Sequence, residues 1–231
     1  QPLPPKLPSS PSRVATGEGW GEGTPTSGLP ALELVKAIGI PVLESVLVLG
    51  PNQAAAEAER LGFPVVLKLG DPPVLHKTES QGVVLGLDSP RAVREAALRL
   101  GGPLLVQRQV SGGLEMILGL QTDPRLGTFV LCGLGGIWAE ALDDVAIRPV
   151  GLRQGEAHDM LDQLRARKWL DGLRGSPALD VEALAQAVER LAAFGEAHGS
   201  AIASLDINPA IVLPQGVIAV DALVVPFKAN A

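Results

Sequence analysis

Apolar and polar residues alternate along the chain in a way that predicts short strands mixed with amphipathic helices. Strand-like apolar runs include VVLKLG, VVLGL, LLVQRQV, LEMILGLQ and FVLC. Helical spacing of apolar residues appears over residues 32–38, 52–60, 90–100, 154–172 and 180–198. Short apolar runs bounded by turn residues are typical of strands, and a period near 3.6 residues is typical of helices. Because helices and strands do not alternate strictly, the pattern predicts an α+β fold.

Capping residues mark where two of these helices begin. Asn52 is expected to cap the helix that runs through Arg60, and Ser89 followed by Pro90 is expected to open the helix that ends at Leu100. Asparagine and serine side chains accept hydrogen bonds from the N–H groups of a first helical turn, and proline is favoured at the first helical position.

The first thirty residues differ in composition from the rest of the chain. The stretch QPLPPKLPSSPSRVATGEGWGEGTPTSGLP is rich in proline, glycine, serine and threonine. Such a stretch buries too little apolar surface to offset the entropy lost on ordering. We therefore expect residues 1–30 to form a tail or linker.

Composition and charge narrow the classes of protein that the chain can represent. Its 231 residues are 46% hydrophobic and carry a net charge of −6, which argues against a general nucleic-acid binder. Cys132 is the only cysteine, so an internal disulfide and a thiolate metal cage are excluded. Because no apolar run reaches the roughly 20 residues that span a bilayer, we expect no membrane association. Together these features predict a cytoplasmic, globular protein.

The C-terminal segment DINPAIVLPQGVIAVDA predicts a hairpin that carries chemistry. If Pro214-Gln215 forms a two-residue loop, Leu213 pairs with Gly216, and Asn208 then pairs with Asp221. Directly opposed residues share a face of the sheet, with Cβ atoms about 5 Å apart. Amide and carboxylate oxygens so placed suit Mg²⁺ together with phosphates and waters. The alternative is that Asp221 ends a strand at the surface and Asn208 is a turn residue.

Lys68 lies in an otherwise apolar strand. Alternation places it on the face of Val66, opposite Val65 and Leu67. It is either an edge residue whose ammonium reaches water or a cation directed at an anion.

The loop after this strand combines His76, Lys77 and Thr78, with Gly82 close behind. Imidazole, ammonium and hydroxyl groups can together meet phosphate oxygens. Imidazole can also act as a nucleophile toward phosphorus.

A glycine-rich turn, residues 133–136, follows the FVLC strand and could approach a phosphate. The Walker lysine and the Rossmann spacing are both missing, so a simple tight turn explains it equally well. Glu140 follows the turn, and Glu115 is the one charged residue in GGLEMILG.

Read in order, VVLK, LHKTESQGV, LLVQRQV, GGLEMILGLQTDPRLG, GLGGIWAE and DINPAIVLPQGVIAVDA closely resemble one known family. This is the ATP-grasp region of NDP-forming acyl-CoA synthetases, of the β-subunit type found in ADP-forming acetyl-CoA synthetase. The segment is more distantly similar to the β subunit of succinyl-CoA synthetase. The resemblance implies two α+β subdomains with nucleotide between them, over residues 31–105 and 106–228. The chain departs from the family at Gln81, Gln109, Asp143 and Ala31.

The resemblance implies how the nucleotide and its metal are held. Asn208 and Asp221 match Mg²⁺ ligands, and Lys68 matches a lysine that contacts the phosphates of ATP or ADP. Glu115 matches an acid that helps set the nucleotide position. Lys77, in the loop beside the histidine, is assigned to the same nucleotide.

The resemblance also implies a hinge and a phosphoryl relay. The backbone of Val106, Gln107 and Arg108 matches the hinge that meets adenine. His76 matches a histidine that takes a phosphoryl group from a phosphohistidine on the partner and passes it to ADP. Glu140 matches an acid suited to holding that imidazole.

The expected activity is that of an acid–thiol ligase: acyl-CoA, ADP and phosphate are converted to carboxylate, ATP and CoA. The CoA-binding part would lie in an α subunit or a fused domain, so we expect a hetero-oligomer. One alternative is a ligand-sensing module that regulates a protein acetyltransferase. Another is an ATP-grasp ligase that works through an acylphosphate, against which the His76 loop argues.

Overall fold

A computed structural model describes residues 25–70, 82–136, 144–172 and 175–227. These residues form two compact units. Unit 1 comprises residues 25–26, 31–42 and 113–227, and unit 2 comprises residues 27–30 and 43–112. The mixture of helices and sheets confirms the predicted α+β class. The subdomain boundary at residues 105 and 106 and the tail over residues 1–30 stay predictions.

The helices and strands follow one another without strict alternation. In chain order they are β1 (Thr26–Ser27), α1 (Leu29–Ala37), β2 (Ser45–Val48), α2 (Pro51–Leu61), β3 (Val65–Leu69), β4 (Val83–Leu87), α3 (Pro90–Leu100), β5 (Leu104–Arg108), β6 (Leu114–Asp123), β7 (Gly127–Leu134), β8 (Val145–Pro149), α4 (Glu156–Asp162), α5 (Arg167–Leu170), α6 (Val181–His198), β9 (Ile202–Val212), β10 (Val217–Ala219) and β11 (Ala222–Pro226).

Unit 2 is a small antiparallel sheet with helices on one face. Its strand order is β2-β5-β3-β4. Leu67 and Val106 point from the sheet into a core that α2 and α3 complete with Ala54, Ala58 and Val93. Because side chains alternate along a strand, the residues between them project from the other face, which we call the second face of unit 2.

Unit 1 is built on a larger antiparallel sheet in the order β1-β11-β9-β6-β7-β8, with β10 also paired to β9. Helices α1, α4, α5 and α6 cover one face and bury an apolar core. Met116, Leu118, Leu205 and Ile207 belong to that core and are at most 1% exposed. The residues that alternate with them project from the opposite face, called here the open face of unit 1.

The predicted start of α3 is confirmed, and that of α2 is wrong. The Ser89 hydroxyl accepts a hydrogen bond from the Ala92 N–H over 3.4 Å at the head of α3. Helix α2 instead begins at Pro51 with Gly50 as its N-cap, so Asn52 lies in the first turn. Proline has its φ preset for a first helical position, so the N-cap lies two residues closer to the N-terminus than predicted.

The single helix predicted over residues 154–172 is also wrong, because the structure has the two short helices α4 and α5 there. The buried Asp144 explains the break. Its carboxylate accepts hydrogen bonds from the N–H groups of Arg165 (2.8 Å) and Ala166 (2.7 Å). In a continuous helix those N–H groups would bond to carbonyls one turn earlier. A contact distant in sequence therefore overrides the helical period.

Asp180 joins the start of α6 to the turn of the C-terminal hairpin. Its carboxylate accepts hydrogen bonds from the N–H groups of Ala183 (2.9 Å) and Gly216 (2.8 Å). Its own N–H donates to the carbonyl of Leu213 over 2.8 Å. The two backbone hydrogen bonds lower the pKa of the Asp180 carboxyl.

We expect Asp180→Ala to lower the free energy of unfolding by about 2 kcal/mol at pH 7, since it removes a helix cap and a second charge-assisted bond. Because the folded-state pKa is lowered, this stabilisation is complete above the ordinary carboxylate pKa and disappears as pH falls through the lowered value. The difference from wild type should therefore shrink below about pH 4. Urea unfolding at several pH values measures it, with Asp159→Ala, which alters an exposed residue of α4, as the control. A difference that persists unchanged at pH 2 would contradict the role of the ionised carboxylate.

Candidate functional site

The C-terminal hairpin has the predicted register. The pairs Val212–Val217 and Ala210–Ala219 of β9 and β10, and Ile207–Ala222 of β9 and β11, keep one constant register. The same register places Asn208 opposite Asp221, and the Asn208 N–H donates to the Asp221 carbonyl over 3.1 Å. The predicted pairing of these two residues is therefore confirmed.

A third oxygen-bearing side chain lies on the same face. Leu205 and Ile207 point into the core of unit 1, so Asp206 and Asn208 project from the open face. Asp221, opposite Asn208, shares that face. We call Asp206, Asn208 and Asp221 the oxygen cluster. Sequence reasoning missed Asp206, although two polar residues separated by one apolar residue in DIN already place both on one face.

The oxygen cluster suits a hard divalent cation. Asp206 and Asp221 are half-buried and Asn208 is exposed, so a ligand can reach all three. The Asp221 Oδ1 accepts a hydrogen bond from the Ala222 N–H over 2.9 Å, which orients this carboxylate. Carboxylate and amide oxygens are the ligands that Mg²⁺ takes in proteins, with water and phosphate oxygens completing the octahedron. The donor set therefore fits Mg²⁺.

Glu115 lies against the glycine-rich turn on the same open face of unit 1. Its neighbour Met116 is in the core, so Glu115 projects from the other side. The Gly135 N–H donates to the Glu115 carbonyl over 2.8 Å. A Cβ atom on Gly136, where φ is +66°, would stand 2.7 Å from Glu115 Oε2. The positive φ therefore favours glycine at 136, and the Glu115 carboxylate occupies the space beside it where a side chain would begin.

In unit 2, Lys68 projects from the second face, as alternation predicted. Its neighbour Leu67 is in the core, while Lys68 pairs across the ladders with Leu105 of β5 and Val83 of β4. The side chain is half-buried. A cation so placed on a largely apolar face is suited to meeting an anion.

The segment predicted as a hinge ends strand β5. Val106 and Gln107 pair with β2 on one side and β3 on the other, so both lie inside the ladder. Gln107 is 1% exposed, and its Nε2 donates to the Ser45 hydroxyl over 2.7 Å. Arg108 is exposed and pairs with Val65 of β3, but it lies beyond Ser45, the first residue of β2, where pairing with β2 ends.

Other predicted site residues lie outside the described residues: His76, Lys77 and Glu140.

Two further groups have structural roles. Asp144 holds the break between α4 and α5 and is 6% exposed. Burial raises the pKa of the Cys132 thiol to about 12, so this thiol stays protonated at neutral pH. Across the described ranges, the structure contains no helix with the length and apolar character of a membrane span.

Comparison with known families identifies one domain type across most of the chain. The family model described as ATP-grasp domain matches residues 24–225. The chain is 34% identical over 215 residues to acetate–CoA ligase [ADP-forming] I of Archaeoglobus fulgidus, covering 88% of this chain and 31% of that protein. It is 31% identical to the β subunit of acetate–CoA ligase [ADP-forming] II of Pyrococcus furiosus, covering 84% of this chain and 89% of that subunit. The chain thus spans about a third of the longer relative and almost all of the subunit.

Solved structures of acetyl-coenzyme A synthetase 1 from Ca. Korarchaeum cryptofilum are similar in fold. In complex with coenzyme A and Ca-AMPCP, the TM-score is 0.84 at 32% identity, covering 94% of this chain and 100% of that chain. A second complex, with coenzyme A and Mg-AMPPCP, has a phosphohistidine segment pointing towards the nucleotide binding site; its TM-score is 0.79 at 33% identity, with the same coverage.

Proposed function

Since this chain belongs to the ATP-grasp domain family, we propose that it is the nucleotide-binding part of an ADP-forming acyl-CoA synthetase. The reaction converts acyl-CoA, ADP and phosphate to carboxylate, ATP and CoA, and it is reversible. The observation that carries the proposal is the oxygen cluster, in which two carboxylates and an amide share the open face of unit 1.

The lengths of the relatives support the proposal that a second chain or domain takes part in the reaction. The chain matches almost all of a β subunit but only about a third of a longer ligase. A CoA-binding α subunit or fused domain would therefore supply the remaining chemistry, and the working enzyme would be a hetero-oligomer. A cytoplasmic location is part of the proposal, supported by a single buried thiol as the only cysteine.

The oxygen cluster and the lysines would hold the nucleotide phosphates. Asp206, Asn208 and Asp221 would bind Mg²⁺, which neutralises negative charge on the phosphates during transfer. Lys68 and Lys77 would add positive charge at the same phosphates. The Mg-AMPPCP bound to a similar protein supports a magnesium nucleotide as the ligand.

The base would meet the end of β5. Val106, Gln107 and Arg108 are the proposed contact segment. The main-chain groups of Val106 and Gln107 lie inside the ladder. Main-chain hydrogen bonds to a base would therefore be made by Arg108 and the residues that follow. Glu115, beside the glycine-rich turn, would help to set the position of the nucleotide.

His76 and Glu140 would serve the phosphoryl relay. A phosphohistidine of the partner would lose its P–N bond as a His76 imidazole nitrogen bonds the phosphorus. A β-phosphate oxygen of ADP would then bond the same phosphorus as the new P–N bond to His76 breaks, which forms ATP and frees the imidazole. Glu140 would hold the imidazole by hydrogen bond. The phosphohistidine segment of the similar protein supports this route.

Calorimetric titration of the chain with ADP tests the binding part of the proposal. We expect saturable binding in excess Mg²⁺ that weakens at least tenfold in EDTA, because the oxygen cluster would hold the nucleotide phosphates through the metal. The chain alone should not turn over acyl-CoA. Failure to bind ADP or GDP in Mg²⁺ would contradict the proposal.

A further inference from the structure

Strand β4 contains a bulge that redirects one main-chain N–H group. Val65 pairs with Leu87, but Leu67 pairs with Val84, so β4 has one more residue than β3 over this stretch. Gly86 lies in this bulge and has a φ of +70°, a conformation that favours glycine. Bulges of this kind leave an N–H group outside the regular ladder.

The redirected N–H is bound by the side chain of Gln109. The Gly86 N–H donates to Gln109 Oε1 over 2.7 Å. The Gln109 N–H in turn donates to the Pro64 carbonyl, just before β3, over 2.9 Å. Gln109 is therefore fixed by its main chain next to β3 and by its side chain to β4.

Gln109 directly follows Arg108, where the strand leaves its β2 partner. From Arg108 onward the segment is held on one side only, through the Arg108–Val65 pair and the bond from the Gln109 N–H to the Pro64 carbonyl, so its main chain is less constrained than the strand before it. Fixing the chain in one conformation before ligand arrives removes part of the ordering cost that binding must otherwise meet. The hydrogen bond between the Gln109 side chain and the Gly86 N–H is placed to fix the conformation of the segment 108–110 before ligand binds.

We propose that Gln109 is a positioning residue for the nucleotide base, acting through the main chain of residues 108–110. This inference rests on the proposed function, since it assumes that a nucleotide base meets this segment. It predicts a loss of affinity only for ligands that carry a base. The affinity for inorganic tripolyphosphate, which has the phosphates but no base, should not depend on Gln109.

Two substitutions separate the hydrogen bond from side-chain bulk. Gln109→Met keeps the length of the side chain but cannot accept strongly from the Gly86 N–H, and Gln109→Glu retains an accepting oxygen. Gln53→Met is the matched control. Gln53 Oε1 accepts a hydrogen bond from the Leu49 N–H over 3.0 Å in the same unit, so this control loses a comparable bond elsewhere.

The experiment titrates the whole chain, in Mg²⁺, with ATP and separately with tripolyphosphate. Gln109→Met should weaken ATP binding roughly fivefold, the effect of losing one net hydrogen bond, and should leave tripolyphosphate binding unchanged. Gln109→Glu should bind ATP within about twofold of wild type, and Gln53→Met should match wild type for both ligands.

Three results would overturn the inference. They are equal weakening of both ligands by Gln109→Met, unchanged ATP affinity in that variant, and a Gln109→Glu variant as weak as Gln109→Met. Failure of the wild type to bind ATP is a different outcome, because it removes the proposed function itself.

Discussion

Asp221→Ala should weaken the binding of ADP in Mg²⁺ on the order of 100-fold, because it removes a carboxylate from the proposed metal site. In EDTA the variant and the wild type should bind ADP with similar low affinity, since the carboxylate acts through the metal. Calorimetric titration at several Mg²⁺ concentrations measures both effects. The Mg²⁺ concentration needed for half-maximal binding should rise in the variant.

Asp123→Ala is the matched control for this experiment. The Asp123 Oδ1 accepts hydrogen bonds from the N–H groups of Arg125 (2.7 Å) and Leu126 (3.0 Å) at the turn between β6 and β7 of the same unit. Its loss should lower stability slightly and leave ADP affinity intact. Unchanged affinity in Asp221→Ala would remove the metal assignment. A loss of the same size in Asp123→Ala would mean that general destabilisation explains the effect.

His76→Ala should reduce ATP formation by the complete enzyme by a factor on the order of 10³ or more, because no other group replaces a nucleophile in a covalent relay. ADP affinity of the chain should stay within about twofold of wild type, since the imidazole is not proposed to bind the nucleotide. Rapid-quench measurement of phosphoryl transfer, with calorimetry on the same sample, separates the two quantities.

His158→Ala is the control for the histidine substitution. His158 Nε2 lies 3.0 Å from Glu182 Oε2 on the exposed surface between α4 and α6, in a pair that should contribute little. Its removal should leave both quantities unchanged. Intact turnover in His76→Ala would exclude the relay role while leaving the metal site untouched.

The hairpin could be predicted because its chemistry depends on short-range geometry. A two-residue loop determines the register of its strands, so the pairing of Asn208 with Asp221 followed from counting. Asp206 needed a further step, the recognition that Ile207 points into the core and its neighbours do not. The alternation of Lys68 with Leu67 was accessible for the same reason.

Features that depend on contacts between residues far apart in the chain could not be predicted from the sequence. Residues 154–172 have helical spacing, yet the Asp144 carboxylate, about twenty residues earlier, takes the N–H groups at the break. The bond between Gln109 and Gly86 depends on a bulge, whose register shift leaves no periodic signal in the sequence. Neither partner could be chosen without knowing which strands are neighbours.

The most direct test of the proposed function is ATP formation by the chain combined with its CoA-binding partner, acetyl-CoA, ADP, phosphate and Mg²⁺. We expect ATP and free CoA to appear in equal amounts. Leaving out the partner, phosphate or Mg²⁺ should in each case abolish ATP formation. Normal binding of Mg²⁺ and ADP without ATP formation from acetyl-CoA or longer acyl-CoAs would contradict the proposed synthetase role and favour a sensing module.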